Sequence, residues 1–116
     1  MRSQILSPII GLALGALALG MITGDRAVAQ DSHVLTIKDH KFEPAELTVP
    51  AGSEFTLVVK NLDATPEEFE SETLDLEKVI PGGEEAEFTV GPLEAGEYEF
   101  FGEFNMDTAL GKIIVN

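Results

Sequence analysis

Beyond residue 30, the metal-ligand candidates are His33, His40, Met106 and the carboxylates of Glu67, Glu68, Glu70 and Glu72. One imidazole, one thioether and one or two carboxylates form a donor set for Cu(I), Cu(II) or Fe(II), the ion depending on which ligands converge. No cysteine is present, so no thiolate ligand, cysteine nucleophile or disulfide is available. Each candidate also has a plainer role. His40 suits a turn that bonds the backbone, and His33 lies close to an expected cleavage site. Met106 suits a flexible core filler, and the glutamates suit a solvated acidic edge that discourages sheet-to-sheet association.

Signals for catalysis are missing. The chain has no Gly-x-Ser-x-Gly, no phosphate-binding Gly-rich loop and no His-Glu-x-x-His. Paired carboxylates carry little information in a chain with 21 acidic residues against 7 basic ones. The expectation is a protein that is not an enzyme. A net charge of −14 also argues against a nucleic-acid partner, because phosphate repels such a surface. Metal cations and basic protein surfaces remain as partners.

The elements that must position these residues begin after an export signal. Met1-Arg2 is positive, residues 3–24 carry no charge, and an apolar stretch runs from Ile9 to Ile22 before Ala27-Val28-Ala29. That is the layout of a secretory signal peptide, and four glycines in residues 3–24 favour cleavage over a permanent anchor. The expected division is residues 1–29 as signal and 30–116 as one periplasmic domain, or a secreted or lumenal one in a source without a periplasm. The domain then holds 5 lysines and 20 acidic residues, a net charge of −15. Without disulfides, its stability must come from apolar burial.

Within 30–116 the signal is alternation with period two. Phe55, Leu57 and Val59 share one face of residues 54–60, and residues 46–49 and 85–90 alternate in the same way. Residues 34–37, 96–101 and 111–115 complete a set of strands separated by Pro50-Ala51-Gly52, Pro81-Gly82-Gly83 and Gly91-Pro92. Residues 66–80 fit a short helix, a strand or a loop. Phe42, Phe55, Phe88, Phe100 and Phe104 are expected in the core, Asn61 as a residue that fixes its loop, and Tyr98 as a tyrosine corner. The fold class predicted is all-β, an antiparallel Greek-key β-sandwich.

Three segments carry a family resemblance. Residues 40–52, with Phe42, Pro44, Val49 and Gly52, resemble the opening of cupredoxins. Residues 55–61, ending in Asn61, resemble the strand that enters the first copper-ligand loop. Residues 96–101 and 111–115 resemble the last two strands, which bracket the second ligand loop. The resemblance is nearest to cysteine-free, single-domain periplasmic cupredoxins, some of which are associated with iron or copper handling.

The resemblance implies a metal position at one end of the sandwich, but not a blue-copper one. The first histidine position falls on Glu67, the cysteine on Gly102, the second histidine on Asn105 and the axial methionine near Ala109 or Leu110. A type-1 centre needs two histidines and a thiolate, so a blue-copper electron carrier is not expected. The implied metal site is instead His40, Glu67, Glu68 and Met106, holding a copper or iron ion. Such a protein would pass the cation to a membrane permease or assist an oxidase. The alternative is a metal-free acidic interaction module that docks on a basic protein partner.

Overall fold

Residues 55–61 explain the architecture best. Phe55, Leu57, Val59 and Asn61 are all buried, and Val58 on the opposite phase is buried as well. Continuous burial on the inward phase, with Val58 buried outside it, suits an interior strand, and this strand is flanked on both sides. The computed structural model describes residues 31–116, so the expected signal segment 1–29 lies outside the described residues.

Nine strands follow in order: β1 (Asp31–Lys38), β2 (Lys41–Glu43), β3 (Glu46–Val49), β4 (Phe55–Asn61), β5 (Glu67–Ser71), β6 (Leu76–Ile80), β7 (Glu85–Val90), β8 (Gly96–Gly102) and β9 (Leu110–Val115). A short 3-10 helix, Glu103–Asn105, follows β8. One sheet has the order β2-β1-β4-β7 and the other β3-β9-β8-β5-β6. The all-β sandwich expected from the alternation is therefore present. Its sheets are mixed rather than wholly antiparallel, because β1 pairs with β4 and β3 with β9 in parallel. The cause lies in residues 41–49. Only Pro44 and Ala45 separate β2 from β3, yet the two strands join different sheets. Residues 66–80, open in the sequence reading, form the antiparallel hairpin β5–β6.

The core is aromatic at its centre. Phe42 and Phe100 meet edge-to-face at 4.9 Å, and Phe69 stands 5.5 Å from Phe100 and 5.9 Å from Phe42. Leu35, Ile37, Leu57, Val59, Ile80, Ile113 and Val115 surround them. Phe55 is buried, and Phe88 packs against the core from a half-buried position. Phe104 departs from expectation: it is 51% exposed, because the 3-10 helix carrying it buries none of its residues. The Tyr98 hydroxyl donates to the Glu94 carbonyl at 2.8 Å, the tyrosine corner read from the sequence.

The β1–β2 turn matters for the site. Asp39 and His40, its two central residues, have φ of 53° and 60°, as a two-residue type I′ hairpin requires. Neither is glycine, so the geometry needs support. The Asp63 carboxylate supplies it, accepting the Asp39 amide at 2.7 Å and the His40 amide at 3.0 Å. Burial raises the Asp63 pKa, but these two amides, with the charges of His40 and Lys38, outweigh it and hold the pKa below its usual value. Because the folded-state pKa is lowered, this contribution is present above the ordinary carboxylate range and is lost as pH falls through the lowered value. Asp63→Ala is expected to cost about 1–2 kcal/mol, with the loss vanishing in acid. Chemical denaturation at neutral pH and near pH 3 measures both.

Candidate functional site

Strand β5 distributes its glutamates onto two faces, and this decides what each can do. Successive strand residues point to opposite sides. Glu67, Phe69 and Ser71 are buried toward the core, whereas Glu68 and Glu70 are half-buried on the outer face.

Glu67 is 2% exposed, and its oxygens are engaged. Oε1 accepts the amides of Phe104 at 2.8 Å and Glu68 at 3.0 Å. Oε2 accepts the Asn105 side-chain amide at 2.7 Å. A β-carbon on Gly102 would lie 2.6 Å from the Glu67 carboxyl carbon and 2.9 Å from Ala109 Cβ. The Gly102 amide in turn donates to the Ala109 carbonyl at 2.9 Å, and the Ala109 amide to the Asn105 carbonyl at 2.8 Å. The four positions onto which the resemblance carries copper ligands thus meet at one point. Their side chains do not fit type-1 copper: one carboxylate and one amide are bonded to each other, and glycine and alanine offer no donor.

His40, Glu67, Glu68 and Met106 do not form a single ligand shell. Glu67 and Glu68 leave β5 in opposite directions. The β1–β2 turn does reach the same end, since the Thr108 hydroxyl donates to the His40 carbonyl at 2.6 Å. The His40 imidazole, 48% exposed, instead has Nδ1 3.6 Å from Asp63. Met106 is 53% exposed and contributes no core packing.

What the structure gathers is a different set on the outer face of β5. Glu68, Glu70, Glu77 and Glu103 each place a carboxylate oxygen within 4.8 Å of the others. Glu77 comes from β6, directly opposite Glu70 in register, and Glu103 from the 3-10 helix. Oxygens on opposite sides of a cation at about 2.3–2.6 Å lie about 4.6–5.2 Å apart, so these four can share one ion. Glu70 Oε1 is buried without a hydrogen-bond partner as a carboxylate. A hydrogen bond with Glu77, then partial burial, then the charges of Glu103, Glu77 and Glu67 push the Glu68 carboxyl up to about 7. Glu70 rises to about 7 chiefly through a hydrogen bond with Glu103, followed by burial and its acidic neighbours. Glu68 and Glu70 therefore keep their protons to higher pH than ordinary glutamates do. Glu77 and Glu103 carry no sequence signal that separates them from the other solvated acids.

A pH dependence follows, with a definite sign. Carboxyls whose folded-state pKa is raised bind protons the unfolded chain has released, so their stabilisation is complete below the ordinary value of 4.5 and is lost as pH rises through about 7. Thermal unfolding scans should give a higher Tm at about pH 5.5 than at about pH 8, and Glu70→Gln should flatten the slope. An unchanged slope in that variant would remove these carboxyls as its source.

Comparisons with known proteins agree with this fold. The chain is 48% identical over 82 residues to an uncharacterized protein of Rickettsia prowazekii (strain Madrid E), covering 71% of this chain and 66% of that protein's length. The amicyanin of Paracoccus versutus superposes with a TM-score of 0.60 at 23% identity, covering 77% of this chain and 85% of amicyanin. Auracyanin A, a "blue" copper protein from Chloroflexus aurantiacus, gives a TM-score of 0.66 at 19% identity over 76% of this chain and all of its own. A family model, the cupredoxin-like domain, matches residues 11–115. The chain therefore belongs to the cupredoxin-like family, as a cysteine-free member without a type-1 copper centre.

Proposed function

We propose that this chain is an exported, non-catalytic metal-binding protein that holds its cation on the outer face of β5 and β6. The observation that carries the reading is the carboxylate group Glu68, Glu70, Glu77 and Glu103, with its ligand atoms within 4.8 Å. Copper proteins of the same fold support a metal role in general. The donor set then narrows the ion. Four carboxylates suit hard or borderline cations such as Fe(II), Mn(II) or Ca(II), accept Cu(II), and offer nothing soft to Cu(I). With no thiolate and no histidine in the group, the reading is metal handling rather than blue-copper electron transfer. A half-exposed site releases its ion readily, which suits delivery to a membrane permease or another periplasmic protein.

Binding must displace the shared protons, so affinity rises with pH. Calorimetry with Fe(II) under anaerobic conditions, Cu(II), Mn(II) and Ca(II) at about pH 8 is expected to give binding tighter than millimolar, about tenfold weaker at pH 6. The Glu70→Gln, Glu103→Gln double variant is expected to abolish it. Binding by the double variant equal to the parent's, or no binding by any cation, overturns the reading.

One observation favours a second reading. Phe104 and Met106 stand more than half exposed beside Glu103 and Asp107, an apolar tip with an acidic rim. A metal-free module docking on a basic protein would use that tip. Its partner binding would survive the double variant and fall with Phe104→Ser.

A further inference from the structure

We infer that Glu67 does mechanically what a metal ion does in copper-bearing relatives: it ties β5 to the β8–β9 connection, and in doing so closes the inherited ligand pocket to metal. This goes beyond the metal reading above, which concerns the opposite face of β5.

The case begins with cost. A carboxylate is among the groups least often buried, and burying one is unfavourable unless it is fully bonded. Glu67 is nevertheless 2% exposed, on the inward phase of a strand whose next inward residue is Phe69. Three donors satisfy it. Two of them, the Phe104 amide and the Asn105 side chain, lie 37 and 38 residues away in sequence. Hydrogen bonds to an ionised acceptor are the stronger kind, and two of them pin the start of a segment that contributes no buried residue of its own. Residues 103–105 therefore have no apolar reason to stay in place. The carboxylate holds them, and with them the outward positions of Phe104 and Met106.

Closure is a matter of space. A β-carbon at position 102 would lie 2.6 Å from Glu67 Cδ and 2.7 Å from Oε2. These separations are well inside van der Waals contact, so a side chain at 102 would push the Glu67 carboxylate out of its present place. A thiolate from position 102 and the Glu67 carboxylate would claim the same volume. Asn105, the remaining inherited position with a polar side chain, donates its Nδ2 to Oε2 and so is turned to the carboxylate.

The test is amide exchange and NMR on the purified chain. In protein freed of metal with EDTA the Phe104 amide is expected to stay protected, whereas Glu67→Gln should speed its exchange about tenfold or more. If Glu67→Gln does not fold, Asn105→Ala removes one bond and keeps the other, and should raise exchange at residues 105–109 more than at Phe104. Calorimetry with Cu(II) should give Asn105→Ala the parent's affinity, because the inherited pocket holds no metal. A Phe104 amide that exchanges freely in EDTA, an undisturbed Phe104 amide in Glu67→Gln, or Cu(II) affinity lost in Asn105→Ala each overturns the inference. Cu(II) binding lost in the Glu70→Gln, Glu103→Gln double variant but kept in Asn105→Ala supports both proposals. No Cu(II) binding by the parent leaves the closed pocket standing and counts against the metal reading alone.

Discussion

Phe69→Ala is expected to remove about 3–5 kcal/mol of stability, the usual cost of truncating a fully buried phenylalanine. Phe69 is 0% exposed and is the ring that joins the others, meeting Phe42, Phe88 and Phe100 at 5.9, 5.4 and 5.5 Å. Deleting it leaves a cavity walled by three rings that are themselves held by separate strands. A domain of this size commonly has about 5–10 kcal/mol in total, so the variant sits near the edge of folding. The loss also reaches the site, because Phe69 stands between Glu68 and Glu70 and fixes the strand from which both project. Urea denaturation compares it with Phe88→Ala, where a half-buried ring should cost distinctly less. Equal losses would show that Phe69 is not the keystone of the aromatic group.

Asn61→Ala should cost about 2–4 kcal/mol, from buried backbone groups left without partners. Asn61 is 1% exposed, and its Nδ2 donates to the carbonyls of Thr65 at 2.9 Å, Ile80 at 3.0 Å and Pro81 at 3.4 Å. Its Oδ1 accepts the Asp63 amide at 3.1 Å. One side chain thus fastens the end of β4, the loop before β5 and the end of β6. The effect extends further, because Asp63, placed by Asn61, holds the left-handed turn at Asp39 and His40. Asn61→Ala and Asp63→Ala should therefore be less than additive, since the first already misplaces the second. A double-mutant cycle that sums within about 0.3–0.5 kcal/mol would show the two to be independent.

The sandwich was legible because alternation records a strand's two faces directly, as Phe55, Leu57 and Val59 show. Pairing direction was not, since residues 41–49 read the same whether they stay in one sheet or cross between two. Residues 66–80 were ambiguous because Leu74, Leu76 and Val79 suit either period, and Val79 proves half exposed on an edge strand. For the site, the alternation of residues 67–71 already separated Glu67 from Glu68. The signal was a glutamate in phase with Phe69, and grouping the two acids as co-ligands overlooked it. Phe104 is expected in the core with the phenylalanines of the alternating strands, although no such alternation continues through residues 103–105. Glu77 and Glu103 become partners of Glu70 only through strand register and the turn after β8, which composition does not encode.

The direction of β1 has a practical corollary. Residue 31 opens the strand at Phe55, the strand ends at the His40 turn beside Thr108, and β9 runs from Leu110 back to Val115, where Asn116 meets Ala51. Both ends of the described chain therefore leave from the pole opposite the Glu67 corner. A tether, affinity tag or sensor chip joined at residue 31 or residue 116 presents the acidic corner outward, so surface-immobilised measurements of ions and partners can proceed with that pole unobstructed.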